Sequence, residues 1–177
     1  IKIAATALNR ADTLQRKGMY PPPPGVTDVL GLECAGEVVS WGSGAQGSWH
    51  AGQRVMSLLA GGGYAEYVTP DERLVIPVPD GMPIETAAAV PETWLTAYQL
   101  LTKVGEIKSG ETVLIHAAGS GVGIAATQLA VALGARVVAV AGSDAKLEFS
   151  RSIGASATIN YKSTVAFGSV VREAAGG

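Results

Sequence analysis

Between residues 112 and 141 the chain runs apolar segment, glycine-rich turn, apolar helix, apolar segment, and that succession leaves few folds open to it. Residues 112–117 and 136–141 are short runs rich in valine, leucine, isoleucine and alanine, with no alternation of polar and apolar positions, as strands buried on both faces require. Residues 122–133 between them have the length and alanine content of a helix, and Gly134 stands where that helix should stop. Two strands joined through one helix run parallel, because only a crossover of a dozen or more residues can return the chain to the same end of a sheet. The pattern continues with a helix over 144–153, a strand over 157–160 and a helix over 164–175, with Gly154 and Ser143 as stop and start signals. A parallel sheet with helices on both faces is the expected architecture of this half.

The turn itself, His116-Ala117-Ala118-Gly119-Ser120-Gly121-Val122-Gly123, ends a strand and opens a helix. Backbone N–H groups at such a helix start are short of acceptors and attract phosphate. The strict three-glycine dinucleotide spacing is not met, since Ile124 falls where the third glycine would stand. The physical requirements survive: Gly121 lets a pyrophosphate approach the backbone, and Gly123, with Ala125 and Ala126, lets the helix close on the sheet. A glycine triplet alone also serves an ordinary tight turn, and the strand before, helix after and second strand favour nucleotide binding.

The tip of the second strand speaks to which dinucleotide. Folds that hold NAD place a carboxylate there for the ribose hydroxyls, whereas this strand ends Val140-Ala141-Gly142-Ser143. Asp144 reads as an acid in the first turn of the next helix. Lys146, one turn in, and Ser143 can meet a 2′-phosphate, which favours NADPH; a lysine there is equally a solvated helix residue. His116, placed in the first parallel strand, reads as a buried, hydrogen-bonded histidine.

The first ninety residues have another texture. Short apolar runs at 1–7, 34–41, 54–58, 63–68 and 74–77 are separated by Pro21 to Gly25, Gly42 to Gly47 and Gly61 to Gly63, as in a small antiparallel barrel or sandwich. The four prolines after Tyr20 predict a stiff extended segment. Helical spacing over 84–101, interrupted only by Pro91, marks the change of texture, and the domains are expected at 1–88 and 89–177. With 47% hydrophobic and 16% charged residues the chain has the profile of a globular protein, and its formal charge of −2 without like-charge runs argues against nucleic acid and anionic membrane partners. The lone Cys34 excludes an internal disulfide framework and a multi-cysteine zinc site, and points to a reducing, cytoplasmic setting.

Several stretches, taken together, resemble one family: Ala7-Leu8-Asn9-Arg10-Ala11-Asp12, Gly18-Met19-Tyr20 with Pro21 to Gly25, Leu30-Gly31-Leu32-Glu33, Gly61-Gly62-Gly63-Tyr64-Ala65-Glu66-Tyr67, Pro91-Glu92-Thr93-Trp94-Leu95-Thr96-Ala97, the glycine turn, and Ile159-Asn160-Tyr161. The chain is similar to the zinc-free quinone oxidoreductases of the medium-chain dehydrogenase/reductase superfamily, and within them to the tumour-suppressor-inducible subgroup. The resemblance implies an α/β protein in which a GroES-like β-barrel catalytic domain precedes a partial Rossmann domain, with the cofactor NADPH in the cleft between them. Zinc-dependent relatives carry a cysteine where Asn9 falls and a histidine where Leu32 falls. Catalytic zinc needs about three protein ligands, so no metal is expected, and Cys34 is expected to pack as a small apolar residue. The implied chemistry is hydride transfer to a quinone or another electron-poor acceptor. Carried over position by position, Asn9 and Tyr20 border the reacting groups, Thr96 meets the nicotinamide ribose, Gly121, Val122 and Gly123 cradle the pyrophosphate, and Ser143, Lys146 and Tyr161 surround the 2′-phosphate.

Family members continue with further parallel strands that carry the far wall of the nicotinamide pocket and the homodimer edge, and others that precede Ile1. The chain is therefore expected to be a fragment that binds NADPH weakly and turns over poorly by itself. Two other functions stay open: reduction of an activated carbon–carbon double bond, as in related enoyl reductases, and catalytically silent NADPH binding.

Overall fold

The computed structural model describes residues 1–176, which divide into compact units at Glu92/Thr93. The first unit is built on a four-stranded antiparallel sheet in the order β1 (Lys2–Ala5), β2 (Glu33–Glu37), β3 (Arg54–Leu58), β4 (Val75–Pro77). Cys34, Ala35 and Val55 are wholly buried in its centre. Ala35 and Met56 pack with Val78 and with Ala87 and Ala88 of the one-turn helix α2 (Ile84–Ala87). A register shift between Ile3 and Ala5 bends β1, and Gly36 is required opposite it, because a Cβ there would lie 2.0 Å from the Lys2 carbonyl oxygen.

The expected strand over 63–68 does not form as such. Its backbone makes one isolated bridge, Lys2 to Tyr67, while Gly62, Gly63 and Tyr64 donate N–H bonds to the carbonyls of Val29, Gly31 and Leu30. Gly31 and Gly63 touch back to back; a Cβ on Gly31 would stand 2.6 Å from the Gly63 Cα, and Gly31 has φ +105°. The glycine run thus serves close packing of two loops. Strand β2 starts one residue early and ends well short of Trp41, which is exposed. A short helix α1 (Arg10–Gln15) was not expected; Asn9 is its N-cap residue, in extended conformation, and Asp12 accepts from the Asn9 N–H. The proline run carries no regular structure until Val26 N–H closes a turn on Pro23 with Gly25 at φ +82°.

Residues 84–101 do not make one helix. Pro91 breaks it, since proline donates no hydrogen bond and suits a first helical position, and α3 (Pro91–Tyr98) begins there. Its last turn widens into a π-helical segment over Gln99–Val104.

The second unit carries a parallel sheet in the order β5 (Thr112–Ile115), β6 (Arg136–Ala141), β7 (Ala157–Asn160). Helices α4 (Gly121–Ala132), α5 (Asp144–Ser152) and α6 (Phe167–Ala175) alternate with the strands as expected. Strand β6 is buried on both faces: Val137 and Ala139 pack against Ala125, Ala126 and Ala130 of α4, while Val138 and Val140 pack against Phe167, Val170 and Val171 of α6. Gly134 and Gly154 follow the helix ends at φ +81° and +107°, the left-handed positions that stop α4 and α5. Helix α6 starts three residues later than expected, after Ala166 at φ +48°. No helix among the described residues is long and apolar enough to cross a membrane.

Candidate functional site

In the second unit β5 ends at Ile115, two residues before the expected end, and Ala117 takes a left-handed φ of +49°. The chain thereby leaves the sheet early, and His116 sits exposed in the turn, its ring 5.9 Å from that of Phe167, instead of buried in the strand. Ala118 N–H holds the turn to the Val140 carbonyl at 3.0 Å. Ser120 caps α4: its hydroxyl accepts from Gly123 N at 3.1 Å and its carbonyl from Ile124 N at 2.8 Å. The N–H groups of Gly119, Gly121 and Val122 find no acceptor among the described residues. They lie at the start of a twelve-residue helix, where the partial positive charge of its dipole falls.

Each glycine of the turn has a different neighbour. A Cβ on Gly123 would come within 2.5 Å of the Ala117 carbonyl oxygen, so this glycine lets helix and turn pack. One on Gly121 would meet the Thr93 methyl at 2.9 Å, and one on Gly119 would meet the aliphatic stem of Lys146 at 2.8 Å. Lys146 therefore lies directly over the turn. At the tip of β6, a Cβ on Gly142 would stand 2.7 Å from the Tyr161 hydroxyl, so the ring of Tyr161 lies over that tip. Ser143 precedes α5 with its hydroxyl free of any capping bond. Asp144, the nearest carboxylate, accepts from Asn160 Nδ2 at 2.9 Å.

The donor set is thus three free backbone N–H groups, the Lys146 ammonium and the hydroxyls of Ser143 and Tyr161, while one oxygen of the Asp144 carboxylate accepts from Asn160. Such a set suits a phosphorylated ligand. Thr96, on α3, is half-buried.

The first unit holds a buried acid network that the sequence did not announce. Glu33 is only 1% exposed; its Oε1 accepts from Asn9 Nδ2 at 2.7 Å and its Oε2 from Glu92 N at 2.9 Å. Asp12, 3% exposed, accepts from Asn9 N at 2.7 Å, Tyr64 OH at 2.9 Å and Gly31 N at 3.3 Å. Burial pushes the Glu33 carboxyl up, against the lowering effect of the Glu92 and Asn9 donors. Glu92 is pushed up by burial and by the charges of Glu33 and Asp12. Burial and the bond to Asp12 push the Tyr64 phenol up to about 12. The signal available in the sequence was a glutamate set between Leu32 and Cys34 inside an apolar run. Tyr20 stands apart from this network, with 48% of its surface exposed. Among the described residues no three His, Cys, Asp or Glu side chains are grouped to hold a metal ion.

Residues 1–80 match the alcohol dehydrogenase GroES-like domain and residues 121–177 the family described as zinc-binding dehydrogenase. The chain belongs to the medium-chain dehydrogenase/reductase superfamily. Within the superfamily it is 40% identical over 162 residues to a quinone oxidoreductase of Pseudomonas aeruginosa, covering 91% of this chain and 49% of that protein. The crystal structure of Escherichia coli quinone oxidoreductase complexed with NADPH superposes with a TM-score of 0.87 at 36% identity, covering 97% of this chain and 52% of that one. The crystal structure of CurK enoyl reductase superposes equally well, TM-score 0.87 at 35% identity, covering 98% of this chain and 54% of that one. The chain therefore spans about half the length of these superfamily members. It spans 7% of a phenolphthiocerol/phthiocerol polyketide synthase subunit of Mycobacterium tuberculosis, to which it is 38% identical over 154 residues.

Proposed function

We propose that this chain contributes the catalytic and nucleotide-binding regions of an NADPH-dependent reductase that passes hydride to a quinone. The observation that carries the reading is the donor set at the β5–α4 turn: N–H groups of Gly119, Gly121 and Val122 without an acceptor among the described residues, with Lys146 lying over the turn and no carboxylate among residues 140–143 at the β6 tip. In this reading Gly121 and Val122 hold the pyrophosphate, and Gly123 brings the helix close enough for them to do so. Ser143, Lys146 and Tyr161 hold the 2′-phosphate, the group that separates NADPH from NADH. Thr96 meets the nicotinamide ribose. The bound cofactor supplies the hydride. Asn9 and Tyr20 flank the acceptor, with the Tyr20 hydroxyl offering a hydrogen bond to its oxygen.

Similarity to quinone oxidoreductases, one of them solved with NADPH, supports the choice of acceptor and cofactor. Similarity to an enoyl reductase supports a second reading, in which the acceptor is a carbon–carbon double bond conjugated to a thioester. Steady-state turnover with NADPH separates the two: the first predicts consumption with small quinones and little with an enoyl thioester, and the reverse ratio favours the second. Tight NADPH binding with turnover of neither would identify a silent nucleotide-binding protein.

A further inference from the structure

Gly119 is a glycine that its own backbone does not require. It is not among the residues with positive φ, so alanine could take the same conformation without strain. What excludes a side chain there is Lys146. Beyond the chain neighbours of Gly119, the three heavy atoms nearest to a Cβ at this position would be Lys146 Cδ at 2.8 Å, Cγ at 2.9 Å and Cβ at 3.0 Å. Carbon atoms rest about 3.5–4.0 Å apart. The direction in which a side chain would leave Gly119 is therefore filled by the stem of a lysine. The base of that stem is held by its helix: Lys146 stands in the first turn of α5 beside buried Leu147, and its carbonyl accepts from the hydroxyl of the wholly buried Ser150 at 2.9 Å. A side chain at position 119 would turn the lysine into another rotamer and carry Cγ, and all beyond it, off the turn.

The protein itself offers little to the lysine's charge. A cation in the first turn of a helix lies against the positive end of the helix dipole. Among the described residues the sole ion pair, Arg73 with Asp71, lies on the surface of the first unit. Lys146 is exposed, so its ammonium, two bonds past Cδ, is open to an anion from solution.

We infer that Gly119 is a positioning residue for cofactor discrimination: by lacking a side chain it seats the stem of Lys146 across the β5–α4 turn, and so sets the ammonium where the 2′-phosphate of NADPH binds. The inference rests on the proposed NADPH site and adds the residue that makes Lys146 effective in it. It also separates the glycines of the turn by task, since Gly123 admits the backbone of the turn and Gly119 admits a cationic side chain.

The test is a double-variant cycle, read by calorimetric titration of the full chain with NADPH and with NADH. Gly119→Ala keeps the backbone N–H and should reduce the preference for NADPH over NADH at least threefold. The NADH dissociation constant should change less than twofold, which also shows that the variant is folded. In a Lys146→Ala background the same substitution should change NADPH affinity less than twofold, because the stem it displaces is gone. NADPH and NADH differ only in the 2′-phosphate, so a glycine needed merely for close approach of the pyrophosphate predicts an equal loss for both cofactors, additive with Lys146→Ala. That result overturns the inference, as does an unchanged preference in Gly119→Ala. The unliganded protein gives an independent reading: nuclear Overhauser contacts should join the Gly119 α-protons to the Lys146 γ- and δ-protons, and their absence refutes the seat. If Lys146→Ala abolishes the preference while Gly119→Ala leaves it intact, the inference alone fails. If Lys146→Ala itself leaves the preference intact, the proposed role of Lys146 fails and the inference falls with it.

Discussion

Gly123→Ala adds one methyl group at the point where α4 meets the turn, and the structure allows its cost to be estimated. The new Cβ would lie 2.5 Å from the Ala117 carbonyl oxygen, 2.7 Å from the Ala118 Cα and 2.8 Å from the Ala118 carbonyl carbon. All three are backbone atoms, so no side chain can rotate out of the way. Overpacking of this kind costs roughly 1–3 kcal/mol, and collision with backbone places it near 3. Alanine recovers about 1 kcal/mol of helix propensity over glycine, for a net loss of about 2. For a domain of the second unit's size that lowers the melting temperature by roughly 8–16 °C. Gly168→Ala is the matched control, because the only atom near its Cβ would be the end of Arg172 at 3.9 Å. It should stabilise by about 0.5 kcal/mol through propensity and the reduced freedom of the unfolded chain. Thermal and urea melts followed by far-ultraviolet ellipticity measure both. If Gly123→Ala is as stable as the parent, or the two variants shift alike, the close helix-to-turn contact is not what requires glycine.

Three further outcomes follow from the first unit. Asp12→Ala leaves Asn9 N–H, Gly31 N–H and the Tyr64 hydroxyl without their acceptor, and chemical denaturation should show a loss of about 3 kcal/mol. The Cys34 thiol is wholly buried and pushed up to about 11 by burial, so a thiol reagent at neutral pH should label it only after unfolding; rapid labelling of native protein would contradict that packing. The Tyr64 phenol titrates near 12 when folded but near 10 when unfolded. Between those values the native state holds a proton that the unfolded state has released, so stability falls as pH rises through the window, and Tyr64→Phe should flatten that part of the profile.

How much of this was legible beforehand varies by element. Strands β6 and β7 were read with their observed bounds, β6 because a run buried on both faces and closed by polar or glycine residues has no competing pattern, and β7 from its place in the alternation of strands and helices. The end of β5 was misread by two residues, and with it His116, because nothing in Ala117-Ala118 announces a left-handed alanine. That conformation is imposed by the closure of α4 on the turn. Residues 63–68 read as a short apolar run, yet the Gly61 to Gly63 run is drawn instead to the backbone of residues 29–31. The site was legible unevenly. Lys146 and Tyr161 were expected near the phosphates, and the structure sets Lys146 over the turn and Tyr161 over the β6 tip. The linkage of Asn9, Asp12, Glu33 and Tyr64 was not legible, since it joins residues up to 55 positions apart through side chains that only the folded sheet brings together.

The central claim, that the β5–α4 turn and the β6 tip form an NADPH site, is tested most directly by titrating the protein with NADPH and with NADH by calorimetry, before and after Lys146→Ala. An ammonium on a phosphate contributes roughly 1.5–3 kcal/mol, so NADPH should bind at least tenfold more tightly than NADH, and Lys146→Ala should remove most of that preference while leaving NADH affinity unchanged. Equal affinity for the two cofactors, or a preference that survives the loss of Lys146, would contradict the account.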